Sequence, residues 1–438
     1  MLDTVTHICR PARSPSYVDY RSCFLPAARV PENARPVGAW DRMVNIDHLP
    51  WYPTPRTKRF DPPSTPHGTA VGPPTRVRTG FGGIAWLVTR HAEAVAVLSD
   101  QRFSVELTGD DQTIAGARLA LSFLTMDDPR HMVLRRALAA EFTIRRVTAM
   151  RPWVEQIADA LLDDIERAGP PADLVADFAL PLPSLVICRL LGVPYERHEF
   201  FQRSSQVIVD PGSTMEQVGT AMGELTGYLA ELLAAKDAEP ADDLLSRLVT
   251  DYVRPGTISL DEAANMSRFL LTAGHETTAN MISLGALLLL CHPDQLAELR
   301  ATDDPEVVQS AVNEMLRYLS VLTQGVVRTA REDLRIGDTL IRAGEAVVVP
   351  FNAANRDPAA FAGDPDQFDI HRDARRHLAF GFGAHHCLGR PLALLELEVV
   401  FPRLLRRLPG LALATDLESV AGKNEASIYG LRTLPVTW

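Results

Sequence analysis

The longest helical pattern of this 438-residue chain limits the possible folds more than any other feature. It follows the segment TISLDEAANMSRFLLTAGHETTANMISLGALLLLCHP, in which Ser259 and Glu262 have capping-box spacing and Pro293 lies just beyond the end. About 33 residues, each rising about 1.5 Å, would form a rod of roughly 50 Å, far longer than the usual three turns. The rod is apolar nearly all round but carries too many polar residues for a membrane, so we predict that it runs through the middle of the protein.

The segments around this rod predict a mainly α fold with small β-sheets. TRVRT and IAWLVTR are typical of the two strands of a hairpin, and short strand-like pieces return in DLRIGDTLIRAGEAVVVPF. A last helix is predicted over roughly Leu392 to Leu408. No repeat or linker interrupts this part of the chain, so residues 75–438 are predicted to form one domain.

Residues 1–74 have a different composition, with 13 of the 32 prolines and little helical periodicity. They predict a proline-rich, irregular N-terminal arm. Trp40, Trp51, Tyr52 and Phe60 leave two alternatives open, an arm that packs on the domain and a poorly ordered leader.

Charge and cysteine usage exclude several classes of protein. A formal net charge of −11 argues against a nucleic-acid binder, which needs a cationic surface to displace counterions. The five cysteines are scattered without CxxC spacing, which indicates neither a disulfide framework nor a zinc ribbon and fits a reducing cytoplasm. No run reaches the 18 or so apolar residues of a membrane-spanning helix, so we expect a soluble, cytoplasmic protein.

The stretch AFGFGAHHCLGRP concentrates the most distinctive chemistry, two histidines and Cys387 among three glycines. Adjacent side chains at 385, 386 and 387 cannot all reach one small ion without strain, which argues against a zinc site. The glycines predict a backbone that turns tightly and approaches a flat partner. Since Pro391 suits the first turn of a helix, Cys387 would lie at a helix N-terminus, where a thiolate is favoured and can serve as an axial ligand of haem iron.

FGFGAHHCLG resembles the cysteine-ligand loop F-G-x-G-x-H-x-C-x-G of the cytochrome P450 superfamily. The resemblance implies that Cys387 is the proximal ligand of haem b and that His385 reaches a haem propionate. His386 occupies a variable position and is more typical of a surface residue. The other positions that match the loop, and would surround the cofactor, are Phe380, Gly381 and Gly389.

EMLR, with Glu314 and Arg317, matches the E-x-x-R motif of the same family. An isolated pair three residues apart would more often be a solvated surface salt bridge. Since the cysteine loop follows about 70 residues later, the resemblance implies a buried network that steadies this loop, with Arg372 of FDIHR as third member.

AGHETT, in the long helix, resembles the oxygen-activation segment A/G-G-x-D/E-T-T. The resemblance implies that Gly274 leaves room for dioxygen over the haem and that Glu276 and Thr277 relay protons. Thr277 has an alternative role, since a threonine inside a helix often bonds back to the preceding turn.

Further matches concern the haem propionates. MDDPRHMVLRRALAAEF resembles the helix whose His-x-x-x-Arg contacts them, here His131 and Arg135, which share one helix face. VVRTAREDLRIGD resembles the segment that gives another propionate arginine, here Arg328. Arg136 and Arg331 are more typical of the surface in a chain with so many arginines.

By family analogy the substrate pocket is lined by residues 105–123, 270–273, 321–324 and 427–430. These segments are mostly apolar with a few hydroxyls and an amide, as expected for a medium-sized organic molecule. The residues singled out as pocket walls are Leu270, Ala273, Val321, Leu322 and Ile428.

The resemblance covers about Thr75 to Trp438 and is most similar to soluble actinomycete members of the superfamily. It implies a haem-thiolate monooxygenase that uses dioxygen in specialised metabolism or xenobiotic oxidation, with oxidative aryl or peptide coupling and a non-catalytic haem sensor as alternatives. No flavin or iron–sulfur segment is evident, so electrons should come from a separate ferredoxin or flavodoxin with an NAD(P)H-dependent reductase. We expect a monomer that docks this partner near Arg375, Arg376 and Arg390.

Overall fold

A computed structural model describes residues 48–56, 58–68, 71–79, 83–106, 123–194, 197–210, 212–424 and 426–438. Within these ranges the fold is mainly helical with small sheets, as the sequence predicts. The helices in chain order are α1 (His91–Ser99), α2 (Arg130–Ala139), α3 (Ile144–Ala168), α4 (Pro181–Leu191), α5 (His198–Val209), α6 (Met215–Ala238), α7 (Leu244–Leu248), α8 (Leu260–Leu290), α9 (Pro293–Ala301), α10 (Pro305–Leu319), α11 (Phe351–Ala354) and α12 (Arg390–Arg407).

The strands are short and form three small sheets. They are β1 (Trp51–Tyr52), β2 (Thr75–Thr79), β3 (Ile84–Leu87), β4 (Phe103–Ser104), β5 (Ala172–Asp173), β6 (Val326–Ala330), β7 (Leu334–Ile336), β8 (Thr339–Ile341), β9 (Ala346–Val349), β10 (Ala412–Leu413) and β11 (Pro435–Thr437). The largest sheet has the order β1-β2-β3-β9-β6-β4, while β10-β11-β5 and β7-β8 form the others. The predicted hairpin is confirmed, because β2 pairs antiparallel with β3.

The long helix α8 confirms the prediction made from its pattern. Ser259 Oγ accepts a hydrogen bond from the Glu262 backbone N–H at 3.1 Å, and the Glu262 carboxylate accepts one from the Ser259 backbone N–H at 2.9 Å, which completes the capping box. The helix packs chiefly against α4, α6 and α12, and most of its side chains are buried. It therefore forms the axis around which the other helices are arranged.

The described part of the N-terminal arm packs on the domain. β1 extends the large sheet by pairing parallel with β2. Further along, the Arg56 guanidinium lies 4.0 Å from the centre of the Tyr429 ring, and Arg59 donates to the Val420 carbonyl at 2.6 Å. The strand differs from the irregular arm that the sequence predicts, because two residues are too few to show strand alternation. Residues 1–47 of the arm, with Trp40, lie outside the described residues.

Among the described residues, no helix has the length and apolar character needed to cross a membrane.

Candidate functional site

The loop that carries Cys387 is fixed by backbone geometry that requires glycine. Gly381 has a φ of +69° and Gly383 a φ of +73°, and a Cβ on Gly383 would lie 2.2 Å from the Leu98 carbonyl oxygen. The Cys387 N–H donates to the Phe380 carbonyl at 2.8 Å, and α12 begins three residues after Cys387. These constraints hold the sulfur at the entrance of a helix, as the sequence predicts.

The surroundings of Cys387 suit a thiolate. Burial raises the pKa of the Cys387 thiol, while the N–H groups of Gly389 and Arg390 and the charge of Arg135 oppose that rise. Although protein atoms lie close around it, the Cys387 side chain is exposed in this structure.

Glu314, Arg317 and Arg372 form one fully buried ionic network. Arg317 donates to both Glu314 carboxylate oxygens, at 2.6 and 2.7 Å, and Arg372 Nε donates to Glu314 Oε1 at 3.2 Å. Glu314 and Arg317 have no exposed surface, so the alternative of a surface salt bridge does not apply to this pair. A bidentate pair of this kind is both strong and geometrically specific.

This network reaches the cysteine loop through Asn355. Arg317 donates to the Asn355 carbonyl at 2.9 Å, and the Asn355 side chain accepts from the Leu378 N–H at 2.7 Å. The Leu378 carbonyl in turn accepts from the Gly381 N–H at 2.8 Å. A continuous set of hydrogen bonds therefore joins α10 to the start of the loop.

Four cationic or neutral donors lie together beside the cysteine loop. The rings of His131 and His385 are 4.1 Å apart, and His131 Nδ1 contacts the Asp128 carboxylate at 3.1 Å. Burial lowers the pKa of Arg328 to about 10, and burial together with nearby cations lowers that of His385 to about 3. Arg135 donates to the His386 carbonyl.

These donors lack anionic partners of matching number. Within the described residues, nothing hydrogen bonds to the buried His131 Nε2. Among the residues that the structure describes, the Arg328 side chain donates only to the Val327 carbonyl, at 2.8 Å. Buried donors without acceptors are costly, so the cluster suits a ligand with carboxylate groups.

The arginines that the sequence assigns to the surface differ from these in burial. Arg136 is exposed, and Arg331 is about half-exposed and paired with Asp127. Arg375 and Arg376 are exposed as well, Arg375 being paired with Asp373, while Arg390 is half-buried at the start of α12.

The centre of α8 is less covered at residues 272–274 and at Thr277 than at the neighbouring positions. These four residues are half-buried, whereas residues 275, 276 and 278–289 are buried. Thr277 Oγ1 donates to the Ala273 carbonyl at 2.8 Å, which is the alternative role that the sequence leaves open for this hydroxyl. Leu270 lies one turn before Ala273 on the same face.

Gly274 lies next to α4. A Cβ at this position would lie 3.4 Å from Ile187 Cδ1, on α4. Like Ala273 and Thr277 it is half-buried. That Gly274 leaves room for dioxygen over the haem stays a prediction.

Glu276 is held by a residue that the sequence did not single out. Lys423 Nζ lies 2.7 Å from Glu276 Oε1, and Asn280 Nδ2 donates to the same oxygen at 3.2 Å. Burial alone would raise the pKa of Glu276, but Lys423, His275 and Asn280 together hold it below its usual value. Lys423 is one of three lysines among the 44 basic residues, and this rarity is the only signal in the sequence that could have drawn attention to it.

The predicted pocket walls meet in part. Leu322 and Ile428 form an isolated β-bridge, and the Tyr429 N–H donates to the Val321 carbonyl at 2.7 Å. Of the predicted segment 105–123, residues 107–122 lie outside the described ranges, while Phe123 contacts Phe269 of α8 with ring centres 5.4 Å apart.

The donor set fits the haem that the resemblance implies. A single sulfur with two N–H groups directed at it suits an axial thiolate, and the positive φ of Gly381 suits a backbone that must lie close to a flat ring. The unpartnered His131 Nε2 and the buried guanidinium of Arg328 suit the two propionates. No residue of the cluster argues against the cofactor.

Comparisons with known proteins agree with this geometry. The family model for cytochrome P450 matches residues 195–411. Cytochrome P450-SU2 of Streptomyces griseolus is 49% identical over 386 residues, which cover 86% of this chain and 94% of that protein. Pentalenic acid synthase of Streptomyces avermitilis is 45% identical over 396 residues, which cover 88% of this chain and 97% of that protein.

A solved structure extends the comparison to the fold. The crystal structure of CYP105P1 in complex with filipin I aligns with a TM-score of 0.81 and 40% identity, and the alignment covers 89% of this chain and 99% of that one. Likeness of sequence and of fold therefore runs through the same large part of the chain. The chain belongs to the cytochrome P450 family, whose members are monooxygenases that bind haem through a cysteine thiolate.

Proposed function

We propose that Cys387 is the cysteine that ligates the haem of this monooxygenase, and that the enzyme inserts one oxygen atom from dioxygen into a medium-sized organic substrate. The observation that carries the proposal is the Cys387 sulfur, held just before the start of α12 with the N–H groups of Gly389 and Arg390 aimed at it. When bound, a haem with a thiolate ligand supplies the activation of dioxygen. The protein holds this group and controls protons, water and substrate around it.

The donors beside the loop would bind the haem propionates. His131, His385, Arg135 and Arg328 lie together, and those with unsatisfied donors would gain acceptors on binding. The network of Glu314 would act indirectly, by fixing the loop through its hydrogen bonds to Asn355. Phe380, Gly381 and Gly389 would form the backbone floor on which the ring lies.

Thr277 can serve the reaction without leaving its present hydrogen bond. Since its O–H is donated to Ala273, the lone pairs of Thr277 Oγ1 remain available to accept a proton-bearing group in the pocket. Glu276, about 100° round the helix, would supply protons through water and not by direct contact with Thr277. The two residues therefore have separate tasks. Thr277 would accept a hydrogen bond from a group in the pocket, and Glu276 would supply protons through water.

The pocket walls and the relatives favour a role in specialised metabolism. Leu270, Ala273, Val321, Leu322 and Ile428 are apolar, which suits an organic substrate of moderate size. One relative is a pentalenic acid synthase, and a solved relative binds filipin I. We propose hydroxylation or epoxidation of a compound of this broad kind.

Electrons would come from a separate ferredoxin or flavodoxin with its NAD(P)H-dependent reductase. The exposed Arg375 and Arg376, with Arg390 at the start of α12, would contact an acidic partner near the cysteine loop. We propose a monomer that works in the reducing cytoplasm, where the thiol of Cys387 stays free of disulfides.

The ligand assignment is tested by the ferrous–CO spectrum of the purified holoprotein. We expect the Soret band typical of thiolate ligation, and its loss in Cys387→Ala. Cys291→Ala is a matched control, since this half-buried thiol lies at the end of α8 and should leave the band unchanged. A histidine-type spectrum of the wild type would overturn the assignment.

Product mass tests the reaction type. A screen for substrate-induced spectral shifts identifies compounds that enter the pocket, and turnover of a hit with a ferredoxin and its reductase should add one oxygen atom. Loss of two hydrogens without added oxygen would instead establish oxidative coupling, and absence of turnover with every partner would favour a haem sensor.

A further inference from the structure

The described residues 422–424 and 426–431, called here the C-terminal hairpin, lie against the centre of α8. Gly422 and Leu431 form a β-bridge, and the Lys423 N–H donates to the Gly430 carbonyl at 2.8 Å. At this end of the hairpin Lys423 forms its ion pair with Glu276. A Cβ on Gly430 would lie 1.8 Å from Asn280 Oδ1, so backbone and helix are in the closest possible contact.

The other end of the same hairpin forms part of the pocket wall. Ile428 bridges Leu322, and the Tyr429 N–H donates to the Val321 carbonyl. Thr323 adds two bonds, from its N–H to the Ser427 carbonyl at 3.0 Å and from its hydroxyl to the Ala426 carbonyl at 3.0 Å. A single short unit therefore contacts both the predicted pocket wall at Val321 and Leu322 and the acid of α8.

The ion pair of Glu276 and Lys423 is more buried than most other ion pairs of the described residues. Only 5% of the Glu276 side chain and 20% of the Lys423 side chain are exposed. Among the described residues, the charged and titratable groups that act on Glu276 are Lys423 from the hairpin and His275 from α8 itself, with the amide of Asn280 as a neutral donor. Lys423 is thus the cation on which the ionised state of Glu276 depends.

We propose that Lys423 is a positioning residue for Glu276, and that the C-terminal hairpin couples the acid of α8 to the occupancy of the pocket at Leu322 and Ile428. The second part rests on the proposed function of Glu276 and of these pocket walls. A substrate that presses on Ile428 shifts the hairpin and with it Lys423 Nζ relative to the carboxylate. Proton supply is thereby matched to the presence of substrate.

Such coupling is reciprocal by thermodynamic necessity. If a pocket ligand changes the interaction of Lys423 with Glu276, then loss of that interaction changes the affinity for the ligand by the same factor. Both directions can be measured without turnover. Failure of the coupling is therefore distinguishable from failure of the monooxygenase assignment, which the ferrous–CO spectrum monitors separately.

The first experiment measures thermal unfolding of the holoprotein against pH for the wild type, Lys423→Met, Lys423→Arg and the double variant Lys423→Met/Glu276→Gln. A carboxyl whose pKa is depressed in the folded state contributes stability above its unfolded pKa and loses it as pH falls. Lys423→Met should therefore lower the Tm at pH 7 and approach the wild type as pH falls below about 4.5. The double variant should recover most of the loss at pH 7, and Lys423→Arg should resemble the wild type.

Lys58→Met is the matched control, because Lys58 is another of the three lysines and its side chain is 80% exposed. It should not change the Tm. An equal loss of Tm for Lys423→Met at every pH, or no recovery in the double variant, would show that Lys423 acts only by filling space and would overturn the positioning role.

The second experiment measures the affinity for 4-phenylimidazole, an apolar azole that fills a haem pocket, by optical titration of the same variants. Lys423→Met should change the Kd roughly fivefold or more, the lower end of typical coupling. The double variant and Lys423→Arg should return toward the wild-type value, and Lys58→Met should equal it. Equal affinities in all variants, with normal CO spectra, would overturn the coupling to the pocket.

Discussion

The cysteine side of the site, residues 379–391 with the network of Glu314, is constructed differently from the helix side, the centre of α8 with the C-terminal hairpin. On the cysteine side the buried carboxylate of Glu314 is paired within its own helix to Arg317 and again to Arg372. On the helix side the buried carboxylate of Glu276 depends on Lys423, which is 147 residues away along the chain. Glu314 thus has a cation within its own helix, whereas the cation that pairs with Glu276 comes from a distant part of the chain.

The two carboxylates therefore differ in how freely they can move. A carboxylate with two guanidiniums and a backbone N–H from Asp369 has its acceptor sites filled and cannot move without breaking several bonds. Glu276 has one cation and one amide, so a small shift of the hairpin changes its environment. The cysteine side is suited to hold a cofactor, and the helix side is suited to answer a substrate.

The largest effect is expected when the ionic network of Glu314 is broken. Glu314→Gln leaves the buried guanidiniums of Arg317 and Arg372 without their anion, which should cost about 3–5 kcal/mol and much of the bound haem. Denaturant unfolding and the ferrous–CO band measure the two losses. Asp164→Asn is the matched control, since Asp164 pairs with Arg167 at the same spacing in an exposed position and should cost less than about 1 kcal/mol.

A smaller effect is expected at the propionate cluster. Arg328→Leu removes one buried charged donor, so haem affinity should fall by about 1.5–3 kcal/mol, or roughly 10- to 100-fold. Transfer of haem to an acceptor such as apomyoglobin measures this loss. Arg335→Leu, on the exposed face of β7, should leave transfer unchanged, and equal transfer from both variants would remove Arg328 from the cluster.

On the helix side, Thr277→Ala should divert electrons from product to peroxide while the fold is retained. Loss of the hydroxyl should lower product formed per electron about tenfold, which equals about 1.4 kcal/mol. Thr272→Ala is the matched control, because the Thr272 hydroxyl also donates to the carbonyl four residues earlier, at 3.0 Å. If Thr277→Ala forms as much product per electron as the wild type, the hydroxyl has no role beyond its hydrogen bond to the Ala273 carbonyl.

The smallest effect is expected for Gly274→Ala. The new methyl group would meet Ile187 at 3.4 Å, and alanine favours the helix by about 1 kcal/mol, so stability should change by no more than about 1 kcal/mol. Gly285→Ala in the same helix should be clearly worse, because its Cβ would lie 2.5 Å from Phe401. A large change in the oxygen or CO spectrum of Gly274→Ala would support the prediction that this glycine leaves room over the haem.

The parts of the molecule that follow from short-range pattern could be read from the sequence. The capping box at Ser259 predicts the start of α8, and Gly381 and Gly383 predict the positive φ angles in the loop before Cys387. The i, i+3 spacing of Glu314 and Arg317 puts both on one helix face before any tertiary contact is known.

What could not be read depends on rotation and on distant pairing. The approach of Gly274 to Ile187 follows from how α8 is turned against α4, which residue spacing alone does not give. The strand at Trp51 has too few residues to show a period, and the partner of Glu276 lies in a hairpin with no recognisable motif. Each of these features needs two segments to be brought together before it exists.

The separation of Glu276 and Lys423 along the chain also sets when the two residues can meet during synthesis. Ribosomes add roughly 5–20 residues per second, so the 147 residues between Glu276 and Lys423 take on the order of ten seconds to make. During that interval α8 and then Cys387 leave the ribosome, while the acid still lacks its cation. A newly made chain therefore presents Cys387 before the ion pair of Glu276 and Lys423 can form.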